Sequence, residues 1–421
     1  MRLGYSLLWY LLLPLVMMRT AWRGLRAAAY LRRWNERLGY GGDLRPGGIW
    51  LHAVSVGEVQ AAAPLLRRLL ERFPERPLMV TTTTPTGSAR LRELFGDRVG
   101  HAYLPWDLPG ATRRFLRRAE PRLALVMETE LWPNLFHACA VQGVPLWLIN
   151  GRLSERSLRG YRRLGTLPQQ TLATVVRVLA RGEEDARRFV ELGAAPERVT
   201  VGGDLKFDLE LPAAVVETGR VLRKEFGERP VWLAASTHEG EEAELLAAHR
   251  ILCRRFEQAL LIVVPRHPER FDPVAAQIEA DGWQLARRSR SAAPRRAQVY
   301  LADTMGEMFT LLAACDLCFV GGSLVPVGGH NLLEPAALGK PVLIGPHSFH
   351  FAEAVARFRA ADALTEVTSA ASLAAALVTL CEEPSRALGM GARGALLVEG
   401  GRGATSRLLA EIEAAWRKAS L

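Results

Sequence analysis

Lysine is almost missing from this chain: only four of its 54 cationic residues are Lys, and the rest are Arg. Cysteine is sparse too, with five residues spread through apolar segments. An odd, scattered set of that kind excludes a disulfide framework and fits buried thiols in a reducing compartment. The string G-x-x-x-x-G-K-[ST], the string H-E-x-x-H and any D-x-D pair are absent, which removes the motif case for an NTPase, a zincin or a metal-held diphosphate. There is no basic tail and no basic stripe interleaved with aromatics, so nucleic acid is not an expected partner. No stretch is polar enough to suggest disorder, and at 49% hydrophobic residues the chain has ample material for packed cores.

What is present is an excess of cations, +10 in formal net charge over 421 residues. Arginine in such excess suits bidentate recognition of phosphate or carboxylate, so the expected partner is an anion, either a phosphorylated small molecule or an anionic membrane. Residues 3–18, "LGYSLLWYLLLPLVMM", carry no charge and are followed by Arg19, Arg23, Arg26, Arg32 and Arg33. That pattern predicts a membrane anchor, spanning or lying on the surface, with the body of the protein on the cytoplasmic side. Ala27-Ala28-Ala29 would suit signal cleavage, but arginines separate it from the apolar core, which favours an uncleaved anchor.

From residue 48 onward, short Val/Leu/Ile-rich runs alternate with helical patterns: "IWLHAVS", "LMVTTTT", "HAYLP", "RLALVMETE", "PLWLING", "VVRVLA", "RVTVGG". The rhythm breaks near residue 204 and restarts with "PVWLAAST", "ALLIVVPRH", "QVYLAD", "DLCFVGGS" and "KPVLIGP". Alternation of this kind predicts α/β architecture with two doubly wound parallel sheets. The expected division is an anchor and basic flank at 1–35, a first Rossmann-like domain at 36–210, a linker at 211–229, a second such domain at 230–400, and an amphipathic C-terminal helix at 401–421 packing on the first.

Open parallel sheets bind ligands beyond the carboxyl ends of their strands, so charged residues at those ends are the candidates. Glu58 follows Ser55 and Gly57 in a strand-to-helix turn, where it serves either as a partner of the helix dipole or as a carboxylate projecting at a ligand. "METELWPN" ends an apolar strand in Glu128 and Glu130, which share one face if the strand persists, with Arg152 as a candidate neighbouring cation; Glu130 could equally be a helix cap ahead of Pro133. Lys206, in "GGDLKFD", is either a solvated loop residue or a point charge for an oxyanion. In the second half, Arg266 and His267 precede Pro268 at a turn suited to an anion. Met305, Gly306 and Glu307 mark another such turn. A glycine-rich loop leads to Asn331, Leu332, Leu333 and Glu334, where Glu334 could bind a ribose. Cys315 and Cys318 have metal spacing without a second pair, and His52, His330, His347 and His350 lack acidic partners at useful spacing, so no required metal is expected.

These strings, in the order "WLHAVSVGE", "TTTTPTGSAR", "METELWPN", "NGRLSERS", "LKFD", "STHEGEE", "VPRHPERF" and "GGHNLLEP", strongly resemble the 3-deoxy-D-manno-octulosonic acid (Kdo) transferases of lipid A assembly, along nearly the whole chain. The resemblance implies a GT-B fold, two Rossmann-like domains facing across a cleft. It also implies inverting transfer of Kdo from CMP-Kdo to a primary hydroxyl of an acylated lipid A precursor, at the cytoplasmic face of the inner membrane and without a cofactor. On that footing Glu58 is the general base, and Glu128 and Lys206 stabilise the transition state. Arg266, His267, Met305 to Glu307 and Asn331 to Glu334 form the CMP site. The alternative is another GT-B enzyme acting on a UDP-sugar, a transferase or an epimerase.

Overall fold

The computed structural model describes residues 1–26, 28–290 and 295–419; Ala27, in the small-residue run after the first helix, lies outside the described residues. The chain divides into two compact units, Met1–Asp208 with Gly401–Leu421, and Leu209–Gly400.

In the first unit, seven parallel strands form one sheet: β1 (Ile49–His52), β2 (Leu78–Thr82), β3 (Gly100–Tyr103), β4 (Leu123–Met127), β5 (Leu146–Gly151), β6 (Arg177–Ala180) and β7 (Val199–Val201). Their order is β3-β2-β1-β4-β5-β6-β7. The strands read as unbroken apolar runs because helices cover both faces of a parallel sheet. Trp50 on β1 is fully buried, and its ring meets Phe115 edge to face at 5.0 Å. The C-terminal helix (Ala404–Ala419) completes this core: Ala404, Leu408 and Ile412 pack with Leu51, Leu65 and Leu205, and Glu413 pairs with Arg72 at 2.6 Å.

The second unit repeats the scheme with β8 (Val231–Thr237), β9 (Leu260–Pro265), β10 (Leu285–Arg287), β11 (Val299–Leu301), β12 (Leu317–Val320), β13 (Val342–Ile344) and β14 (Leu364–Glu366), in the order β10-β11-β9-β8-β12-β13-β14. Most of the segment that composition reads as a linker, Ala213–Phe226, is a helix of this unit. A Cβ on its Gly219 would lie 2.4 Å from Thr310 O, so only glycine allows it to approach the helix Met308–Ala314 so closely. Cys315 and Cys318 are buried core residues, and all five cysteines are free.

In each sheet the chain runs outward in both directions from one central strand. β1 pairs with β2 and β4, and β8 pairs with β9 and β12. The strand order reverses at β1/β4 and at β8/β12, and at such switch points the adjoining loops diverge and leave a crevice for ligand.

The first helix (Arg2–Arg26) is long and apolar enough to cross a membrane by length and composition alone. Trp9, Leu13, Val16 and Met17 pack against Trp106, Leu108 and Ala111 of the body. Ser6 is buried and donates its hydroxyl to Asn134 Oδ1 at 2.9 Å. Leu7, Leu8, Leu11, Leu15, Met18 and Trp22 on the other side are exposed.

Candidate active site

Glu58 stands at the switch point of the first sheet. The chain leaves β1 and turns at Ser55, which caps the helix Val56–Arg72 and places Glu58 in its first turn. The Ser55 hydroxyl does not cap the helix amides; it donates to Glu58 Oε1 at 3.2 Å, while the Val54 amide donates to Oε2 at 2.9 Å. These two bonds favour the carboxylate. Burial outweighs them, and with the negative field of Glu128 and Glu130 it pushes the Glu58 pKa up to about 8. The helix dipole alone would lower it, so a dipole partner is an incomplete account of this side chain.

Glu128 and Glu130 do not share a strand face. β4 ends at Met127, and Glu128 adopts the left-handed conformation at φ +56°, its amide held by Ile149 O at 3.0 Å. The alternation that would put the two carboxylates on one face stops at that turn, which pattern reading based on a persisting strand does not foresee. The cation beside Glu128 is Lys206, Nζ 3.9 Å from Oε1, and not Arg152. Glu130 is pushed up to about 7, chiefly by burial.

Lys206 is no free loop residue. It sits in a short 3-10 turn (Leu205–Phe207) whose start is fixed by Asp204, accepting from the Lys206 amide at 3.0 Å. The Leu205 amide donates to Asn150 Oδ1 at 3.0 Å. Asn150, next to last in β5, sits at φ +50° and is buried, a positioning role its sequence context does not announce. The first unit thus gathers Glu58, Glu128 and Lys206 around the ends of β1 and β4.

In the second unit the switch point is organised by a residue that the sequence reading left without a role. Glu241, fully buried at the start of the helix Glu241–Cys253, accepts from the amides of Gly322 (2.7 Å), Ser323 (3.0 Å), Leu324 (3.0 Å) and His238 (2.9 Å). One carboxylate therefore ties the loop after β12 to the loop after β8. Gly321 allows the approach, since a Cβ there would lie 2.6 Å from Ser236 O. Next to it Glu242 takes a bidentate pair from Arg270 at 2.6 and 2.9 Å.

Three imidazoles meet at this junction. His238 Nε2 and His330 Nε2 are 2.8 Å apart, and the His267 ring lies 5.5 Å from that of His238. Burial, with His238, Arg266 and His267 nearby, lowers His330 to about 3, and His238 is lowered chiefly by burial. Arg266 and His267 follow β9 as expected, with the Arg266 amide bonded to Thr237 O at 3.0 Å. Glu307 forms the N-cap of the helix Met308–Ala314 and pairs with Arg288 at 2.8 Å, which holds it below the usual carboxylate range. Met305 is exposed and Gly306 sits at φ +83°. Asn331 bonds its own turn, accepting from the Leu333 amide at 3.1 Å and donating to Glu334 Oε1 at 3.1 Å. The Leu332 and Leu333 side chains are buried, so a ligand here could meet only their backbone.

His52 is a buried core residue bonded to Thr81 Oγ1 at 2.9 Å. Among the described residues no three His, Cys, Asp or Glu side chains are grouped to hold a metal ion. A G-x-G-x-x-G string at Gly389–Gly394 lies inside the helix Pro384–Gly401, and a Cβ on Gly391 would lie 1.9 Å from Gly339 O. Its glycines serve packing, because no strand precedes them as a dinucleotide turn requires.

Residues 32–209 match the family described as 3-Deoxy-D-manno-octulosonic-acid transferase (kdotransferase). The 3-deoxy-D-manno-octulosonic acid transferase of Haemophilus influenzae is 38% identical over 97% of this chain and 97% of its own. That of Bordetella pertussis is 43% identical over 87% of this chain and 86% of its own. Among solved structures, UDP-GlcNAc 2-epimerase from Neisseria meningitidis, bound to UDP-GlcNAc, aligns with a TM-score of 0.58 over 86% of this chain and 98% of that one. At 15% identity that likeness is one of fold, the two-unit GT-B architecture.

Proposed function

The chain belongs to the 3-deoxy-D-manno-octulosonic acid transferase family, a family of glycosyltransferases, and from that premise we propose that it moves Kdo from CMP-Kdo to a primary hydroxyl of an acylated, phosphorylated lipid A precursor. The observation that carries the mechanism is the raised proton affinity of Glu58 at the switch point of the first sheet. A carboxylate with a pKa of about 8 is a much stronger base than an ordinary glutamate and is still partly ionised at neutral pH.

In this reading the acceptor hydroxyl gives its proton to Glu58 as its oxygen bonds to the anomeric carbon of Kdo. The bond from that carbon to the CMP phosphate breaks, its electron pair leaves with CMP, and attack from the opposite face inverts the centre. Lys206, positioned by Asp204 and paired with Glu128, supplies fixed positive charge near the base. The departing phosphate gains negative charge that Arg266 and the backbone amides around Met305–Glu307 and Asn331–Glu334 would take up, so the scheme asks for no metal. The exposed apolar side of the first helix, flanked by Arg19 and Arg23, suits the cytoplasmic surface of the inner membrane.

The test is CMP release from CMP-Kdo by the detergent-solubilised protein, with and without tetraacylated lipid A precursor. Release should depend on the acceptor, and Glu58→Gln should lower kcat by roughly 10³-fold, the scale of a lost general base. Release with UDP-sugars but not with CMP-Kdo would move the protein to the other nucleotide class, and an unimpaired Glu58→Gln would remove the assigned base.

A further inference from the structure

A cavity of about 410 Å³ lies within the first unit, between the N-terminal helix and the carboxyl ends of β1, β2 and β3. Trp9 and Val16 of the helix and Trp106 and Trp132 of the body supply apolar walls. Val54, whose amide holds Glu58, and Glu130 are also on its wall, so the cavity adjoins the base. Three arginines line it: Arg19 and Arg23 from the helix, both exposed, and Arg37 from the body.

Arg37 is 7% exposed, and among the described residues it forms no salt bridge. The adjacent Glu36 is taken by Arg33, at 2.7 and 2.8 Å, and by the Tyr103 amide at 2.8 Å. Arg37 donates Nη2 to Thr83 O at 2.9 Å and stacks 4.6 Å from the Tyr103 ring centre, but its buried Nε has no hydrogen-bond partner among the described residues. A buried guanidinium without a counter-ion is costly unless an anion arrives to pair with it. The cavity's own carboxylates do not compete. Asp107 is turned to the amides of Asn134 and Leu135 at 3.0 and 2.7 Å, and burial holds Glu130 partly protonated at neutral pH, with a pKa of about 7.

We propose that this cavity binds a phosphate monoester of the acylated acceptor through Arg37, Arg19 and Arg23, so that the N-terminal helix is one wall of the acceptor site as well as a membrane contact. This rests on the acceptor reading above and adds the group that is recognised and the residues that recognise it. The tryptophans and Val16 take the apolar shoulder of the same molecule, beside the helix face left to the bilayer.

The test uses the full chain in detergent micelles, where no membrane surface contributes, with Arg37→Lys and the double variant Arg19→Gln/Arg23→Gln compared against wild type. Arg37 touches Thr83 and Tyr103, so the double variant, on an exposed helix face, keeps the proposal testable if Arg37→Lys folds poorly. The double variant should raise KM for the phosphorylated acceptor roughly tenfold, the scale of one lost charge-assisted bond, with KM for CMP-Kdo unchanged. Removing the acceptor's phosphates should cost the wild type a similar factor and cost the double variant little more. Wild-type transfer with identical acceptor KM in the variants, or undiminished discrimination against dephosphorylated acceptor, would overturn the phosphate site while leaving the transferase standing; absence of wild-type transfer would strike the function itself. Sedimentation with phosphatidylglycerol vesicles separates the sources. If the double variant loses vesicle binding but keeps its acceptor KM in micelles, the arginines serve bulk lipid and the proposal falls.

Discussion

The two sheets share a switch-point topology and place different titratable groups beside it. At the first, desolvation raises carboxylates: Glu58 to about 8 and Glu130 to about 7. At the second it lowers imidazoles, His330 to about 3 and His238 in the same direction. The physical cause is one, the penalty on a charge removed from water, and each group drifts toward its neutral form. The result on the first sheet is a set of groups with affinity for a proton. On the second it is a pair of imidazoles, His238 and His330, held toward their neutral form beside Arg266. The same switch-point topology occurs twice, and the residues at the strand ends give each its own chemistry.

The sharpest way to break this comparison is to remove the tie that shapes only the second crevice. Glu241→Ala would orphan four backbone amides around the β8 and β12 loops, and should destabilise the second unit by about 4 kcal/mol with loss of nucleotide binding. Urea unfolding followed by a tryptophan of each unit would report it; unchanged stability would mean the loops hold themselves. A smaller effect is expected on the other side. Lys206→Met leaves Glu128 without its cation and should reduce kcat about 10²-fold with little change in donor KM, on the scale of one lost electrostatic contact in a transition state. Steady-state kinetics within twofold of wild type would return Lys206 to a structural part.

Much of this architecture is legible in the sequence because parallel strands buried on both faces must be apolar throughout. Every Val/Leu/Ile run singled out by pattern lies on a strand. The two strands that pattern passes over, β10 and β14, are three-residue edges, one of them carrying Arg287 and the other Glu366. The position of Glu58 in a first helical turn is legible for the same local reason. The relation of Glu128 to Glu130 is not, since it depends on a left-handed residue that no glycine marks. Nor is the replacement of Arg152 by Lys206 as the partner of Glu128, a contact between residues far apart in the chain. The role of Glu241 is hidden for another reason: a glutamate at a helix start looks like a dipole partner, and only the fold brings the β12 amides to it. The cavity against the N-terminal helix is likewise tertiary, because periodicity marks that helix as apolar without revealing which face the body takes.

The central claim is that burial makes Glu58 a base titrating near pH 8, and the pH dependence of kcat/KM for the acceptor tests it most directly. With the carboxyl pKa raised, the active carboxylate is scarce below that pH and forms as pH rises through it, so the rate should climb from pH 6 and level off above an apparent pKa of about 8. In Glu58→Gln that rise should vanish. A wild-type profile flat from pH 6 to 9, or one rising near the ordinary glutamate value of about 4.3, would contradict the account.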